Sequence, residues 1–194
     1  KIMIILVGLG NPDRKYSDTK HNFGFWILDR IVEKRSLTFQ VGKGDYLLAK
    51  KGKLVCIKPT TFMNNSGLAL LDVKQFFKAE PENFLVVYDD IDLYLDLYLG
   101  TLRFKTTGGS GGHKGIESII YQLKSENFNR LRIGISTNEN MRPSEKFVLS
   151  PFRKQDEELK NQMIEKACDG IDYYLLHNMK ETMTKFNEKK QERN

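Results

Sequence analysis

The run Ile2-Met3-Ile4-Ile5-Leu6-Val7, halted by Gly8-Leu9-Gly10-Asn11-Pro12, constrains this chain more than any other stretch. Unbroken apolar character with many β-branched side chains fits a strand buried on both faces, and the Gly/Pro turn marks where it stops. A strand covered on both sides needs helices above and below its sheet. Beyond His21-Asn22, Phe25, Leu28, Ile31 and Val32 recur at helical spacing, and Glu33-Lys34-Arg35 closes that helix. Residues 46–51 and 53–58 read as two strands of a hairpin around Gly52. Ser66 is placed to cap a helix running to Phe77, whose apolar face is Leu68, Leu71, Val73, Phe76 and Phe77.

Residues 84–88 form a second buried run, ending at Asp89-Asp90. Two more strands, 101–105 and 131–135, flank a Gly-rich loop and a helix over residues 115–123. From residue 155 to 190, Leu159, Met163, Ala167, Ile171, Leu175, Met179, Met183 and Phe186 fall close to every fourth position. That spacing predicts a terminal amphipathic helix packed on the sheet and broken near Gly170. Lys185, Lys189, Lys190 and Arg193 read as a solvated tail, with RNA contact as the alternative. Asp92-Leu93-Tyr94-Leu95 is repeated at once as Asp96-Leu97-Tyr98-Leu99, which reads as a lengthened loop or strand extension. The expectation is a single α/β domain over residues 1–194. It has a twisted mixed β-sheet flanked by helices and a C-terminal amphipathic helix.

Composition narrows the function classes. With 40% hydrophobic and 29% charged residues, the chain reads as globular, not as a disordered tail. The opening apolar run is too short to span a bilayer and lacks the flanks of a signal peptide. Cys56 and Cys168 stand alone, outside ligand spacing, as in a reducing compartment. His21, His113 and His177 form no Cys/His cluster in sequence, so a structural zinc is not expected. A formal net charge of +6 favours a polyanionic partner, nucleic acid more readily than membrane.

Three glycine motifs need sorting. Gly8-Leu9-Gly10 would require its third glycine at Asp13, and Pro12 disrupts the helix start that holds a pyrophosphate. Residues 108–115 fail the P-loop pattern, because Lys114 follows His113 and precedes Gly115. The same loop formally matches G-x-S-x-G, with Ser110 as nucleophile and Asp169 or Asp172 and then His177 as partners. A serine esterase therefore stays open as a rival.

The sharper grouping is Asn11, His21, Asn64 and Asp89. Asn11 and Asp89 follow the ends of two buried strands, where α/β sheets place their ligand crevice, and His21 follows the first. A histidine oriented by an aspartate can take a proton from water, and asparagine amides can donate to a developing oxyanion. That set suits ester hydrolysis.

Several blocks resemble the bacterial-type peptidyl-tRNA hydrolase family. They are Val7-Gly8-Leu9-Gly10-Asn11-Pro12, then Tyr16, Thr19-Lys20-His21-Asn22 and Gly24, and residues 58–67 from Lys58 to Gly67. Residues 89–93, 108–115 and 130–135 follow in the family's order. The resemblance implies an α/β monomer in the cytoplasm that needs no metal or cofactor and hydrolyses peptidyl-tRNA. By motif position it implies His21 as the catalytic base, Asp89 as its orienting acid and Asn11 as the group holding substrate or water. Tyr16, Met63, Asn64, His113 and Lys114 fall at positions that bind substrate, and Lys105 and Arg132 at those that clamp the tRNA 5′-phosphate. Lys114 stands where the family usually has asparagine, and Asp13 where it usually has glycine. A relative that binds RNA without catalysis is the second rival, against which the retained His21, Asp89, Asn11 and Asn64 speak.

Overall fold

The computed structural model describes residues 3–91, 98–137 and 140–187. The opening apolar run forms strand β1 (Ile4–Gly8) at the middle of a seven-stranded sheet. Helix α1 (Phe23–Lys34) follows, then β2 (Gln40–Val41), β3 (Tyr46–Lys51) and β4 (Leu54–Pro59). Helix α2 (Ser66–Phe77) leads to β5 (Phe84–Asp90), β6 (Leu102–Lys105), helix α3 (Lys114–Leu123) and β7 (Asn129–Gly134). Helices α4 (Ser144–Val148), α5 (Glu157–Leu176) and α6 (Met179–Phe186) complete the fold.

Strand order across the sheet is β2-β3-β4-β1-β5-β7-β6. The inner four strands are parallel, and β2, β3 and β6 join antiparallel at the edges, so the sheet is mixed. Alternation along each inner strand feeds two cores. Leu6, Leu85, Val87, Leu131 and Ile133 pack beneath α1 and α5, with Ile27, Ile31 and Ile171. Ile5, Val7, Val55, Ile57 and Val86 face α2 and α3, with Leu70, Val73, Ile116 and Ile119. That double burial is why β1 and β5 read as continuous apolar runs. The chain leaves β1 toward β4 and returns through α2 to β5 on β1's other side. The crevice at the carboxyl ends of β1 and β5 is therefore the topological switch point of the sheet.

The terminal helical region breaks at His177-Asn178, not near Gly170. Asn178 caps α6 through its side chain, which accepts from Glu181 N–H, whereas Gly170 lies within α5. A side chain at Gly170 would meet the Phe104 ring at 2.9 Å, so this glycine serves close packing on β6. Ser66 is likewise not the cap of α2. It is the first helical residue, and its hydroxyl donates to Met63 O at 2.8 Å. The two-residue β2 and the five-residue α4 are too short to leave a periodic trace. The Asp-Leu-Tyr-Leu repeat, apart from Tyr98 and Leu99, and the tail cations Lys189, Lys190 and Arg193 lie outside the described residues.

Candidate active site

Asn11 lies three residues beyond the end of β1, and its position is set from both sides. Its backbone N–H donates to Asn22 Oδ1 at 2.7 Å, and its carbonyl accepts from Asn22 Nδ2 at 3.0 Å. Met63 N–H donates to Asn11 Oδ1 at 2.8 Å. With the oxygen so occupied, the amide NH2 is the end left for a ligand.

His21 lies in a 3-10 turn, Lys20–Asn22, immediately ahead of α1. Its Nδ1 sits 2.9 Å from each oxygen of Asp89, the penultimate residue of β5. The Asp89 side chain is 1% exposed and that of His21 12%, so the pair is nearly shielded from water. His113, which caps α3, brings its Nε2 to 3.4 Å from Asp89 Oδ1. The two imidazole rings are 5.0 Å apart, and His113 also packs edge-on against Tyr88 at 4.9 Å. Burial alone would raise the Asp89 carboxyl. The charge of His21 and the hydrogen bonds from His113 and His21 outweigh it and hold the group well below the usual carboxylate range.

The three donor atoms of His21, Asp89 and His113 lie within 4.8 Å of one another, close enough to raise the question of a metal. The tautomers fit a hydrogen-bonded use. His113 Nδ1 accepts from Ile116 N–H at 3.3 Å, so in the neutral ring Nε2 carries the proton and donates to Asp89. A metal ligand at Nε2 would have to lose that proton. The cluster is a hydrogen-bonded chain centred on one carboxylate.

The other sequence-derived residues take different places around this cluster. Asn64 is exposed in the turn Met63–Asn65 that precedes α2, whereas the Met63 side chain is buried with Leu9 and Ile116 beneath it. Tyr16 is half-buried and meets Phe62 edge-on at 6.4 Å. Lys114 points to solvent and pairs with Glu117 at 3.0 Å, away from the acid and both imidazoles.

Lys105 and Arg132 belong to a cluster of cations with Arg103 and Arg130 on β6 and β7. Lys105 is held below the ordinary lysine value by burial first, then by Arg132, Arg130 and Arg103, with Asp90 pulling the other way. Arg132 Nε donates to Asp90 Oδ2 at 2.5 Å. Lys105 pairs with Arg130, which is level with Val86, so it sits about 10 Å down the sheet from Asp89. Arg130 is buried, donates to Gly108 O and, at 2.7 Å, to Gly109 O, and thereby anchors the start of the Gly-rich loop.

The esterase set does not assemble. Ser110 Oγ accepts from Gly112 N–H, Asp172 pairs with Arg35, and His177 pairs with Glu181 while stacking on Tyr173. Sequence reasoning missed the Asn22 brace and His113's bond to Asp89. The adjacency of Asn22 to His21 was the available signal for the first. The second depends on a loop of eight residues folding back, which no local pattern reveals.

A buried histidine-carboxylate pair at the switch point of an α/β sheet is the kind of arrangement that activates water for hydrolysis. The sequence pattern of the family described as peptidyl-tRNA hydrolase matches residues 5–194. The peptidyl-tRNA hydrolase of Mesomycoplasma hyopneumoniae strain J is 38% identical over 97% of this chain and 98% of its own. That of Hydrogenobaculum sp. is 42% identical over 92% of each. The crystal structure of peptidyl-tRNA hydrolase from Acinetobacter baumannii superposes with a TM-score of 0.86 at 29% identity, covering 95% of this chain and 94% of that one. The chain belongs to the peptidyl-tRNA hydrolase family.

Proposed function

We propose that this enzyme hydrolyses the ester between a peptide and the 3′ end of its tRNA, with His21 as general base. The observation that carries the reading is the His21 Nδ1 to Asp89 bond at 2.9 Å, within a chain of this family. A carboxylate on Nδ1 fixes the proton there and leaves Nε2 with its lone pair. That nitrogen takes a proton from water as the water oxygen attacks the ester carbonyl. The tetrahedral intermediate collapses, the ribose oxygen leaves with the proton that His21 returns, and free tRNA and peptide result. The NH2 of Asn11 and the amide of Asn64 supply donors to the substrate and to the developing oxyanion. Tyr16, Met63 and His113 are read as substrate contacts of this site, and Lys114, turned to solvent beside Glu117, as one made at its outer edge. Lys105 and Arg132 hold the tRNA 5′-phosphate by charge-assisted bonds that read no sequence, as an enzyme accepting every tRNA requires.

We read residues 1–194 as one domain acting as a cytoplasmic monomer. No helix among the described residues is long and apolar enough to cross a membrane. The test is His21→Ala on an N-acetylated aminoacyl-tRNA, with turnover expected to fall about 10²–10⁴-fold. Near-wild-type turnover would end the assignment.

A further inference from the structure

Lys20, the residue before His21, is only 1% exposed. Its ammonium donates to Ser150 Oγ at 2.9 Å and to Pro151 O at 2.7 Å. It also lies over the Phe147 ring at 4.4 Å and the Phe152 ring at 5.2 Å. Ser150 Oγ gives its own proton to Phe147 O at 2.7 Å, which turns its lone pairs toward Lys20. The Lys20 backbone N–H adds a third bond, to Ser150 O at 3.0 Å. Residue 20 is thus stitched to a segment 130 positions away in the chain.

Asn22, on the other side of His21, is tied to the Asn11 backbone by its two amide bonds of 2.7 and 3.0 Å. The turn between these anchors lacks a side-chain cap of its own, since Thr19 spends its hydroxyl on Tyr16 O. The imidazole is therefore located by its two neighbours and by Asp89. Folding alone gives little reason for an ammonium here. A buried charge costs free energy that a methionine of similar size, filling the same aromatic slot, would avoid. What the lysine adds is direction, because two hydrogen bonds and a stacked cation hold one geometry where an apolar chain would slide.

We infer that Lys20 is a positioning residue for His21, and that the segment from Phe147 to Phe152 is the rear support of the active site. The inference rests on the reading of His21 as general base. Lys20→Met, Ser150→Ala and the double variant test it on N-acetylated aminoacyl-tRNA. Each is compared by single-turnover rate, KM, urea unfolding and the low-field proton NMR signal of His21 Nδ1–H, assigned by its loss in His21→Ala. For Lys20→Met the rate is expected to fall about tenfold or more, with KM within about twofold and the low-field signal shifted or broadened. Ser150→Ala should move the rate and the signal the same way by less, and the double variant should be no slower than Lys20→Met.

A Lys20→Met enzyme that is less stable but keeps the wild-type rate and an unmoved signal would overturn the inference. Should that variant fail to fold, Ser150→Ala decides. A lowered rate at constant KM supports the tether, and a wild-type rate with an unmoved signal defeats it. His21→Ala retaining turnover would bring down the base reading and this inference together. An inactive His21→Ala beside wild-type Lys20→Met and Ser150→Ala would bring down this inference alone.

Discussion

His113 gives its Nε2 proton to Asp89 Oδ1, the same oxygen that His21 reaches, across 3.4 Å. Asp89 thus receives donors from a loop on each side of β5, and under the proposed mechanism the second keeps the carboxylate aimed while the first acts as base. His113→Ala should lower kcat about tenfold, more than it raises KM, because its larger effect is to loosen the carboxylate that orients the base. Asp89→Asn should cost far more, on the order of 10⁴-fold, since an amide can hold the wrong imidazole tautomer. Steady-state kinetics on an N-acetylated aminoacyl-tRNA would check the order. A His113→Ala loss as deep as that of Asp89→Asn would mean that His113 does more than orient.

The same carboxylate gives a pH signature in stability. Asp89 is held below the ordinary range in the fold, so the unfolded chain takes up that proton first, near pH 4. As pH falls through that region the unfolded state binds more protons than the folded one, and stability drops. Above about pH 5 the contribution is complete. The difference in urea midpoint between wild type and Asp89→Asn should be full near pH 5 and shrink below about pH 4. A difference that holds constant to about pH 3 would show that Asp89 is not held low.

The cation cluster of Arg103, Lys105, Arg130 and Arg132 predicts a salt dependence. Lys105→Ala should weaken tRNA binding at low salt and reduce the slope of log K against log salt by about one. The single-turnover rate at saturating substrate should stay close to wild type, because Lys105 sits about 10 Å from Asp89 along the strands. Filter binding across a salt series measures both. An unchanged slope would remove Lys105 from the phosphate contact.

The inner sheet was legible because burial on two faces leaves an unmistakable apolar run, as Ile5 to Val7 and Phe84 to Tyr88 show. Asn11, His21 and Asp89 could be grouped because the sequence puts two of them near strand ends and the third just ahead of a helix. What escaped depends on distant closure. Ser150 and Pro151 reach Lys20, and Ile116 fixes the His113 tautomer, through chain reversals that periodicity does not encode. Ser66 misled for a local reason. A serine beside the start of a helix can bond backward to a carbonyl as readily as forward to an amide.

Gly24 is where fold and site meet, because α1 must lie close against β1 and β5 for the preceding turn to deliver His21 to Asp89. A Cβ there would come within 2.3 Å of Val87 O, 2.5 Å of Leu9 N and 2.7 Å of Leu9 O, all backbone atoms that cannot rotate away. Gly8 faces the same contact from the strand, where its own Cβ would meet Gly24 O at 2.4 Å. Gly24→Ala would gain helix propensity on an exposed helix, so a stabilised variant is the outcome if packing here is loose. The close approach makes the opposite expectation, a loss of about 1–3 kcal/mol as α1 is pushed outward. Because β1 and β5 are inner strands, α1 is the element that shifts, and His21 moves with it. Activity should then fall by more than the unfolded fraction explains, measured at a temperature where the variant is still folded. Full specific activity in a destabilised Gly24→Ala protein would show that the turn carrying His21 is positioned independently of its helix.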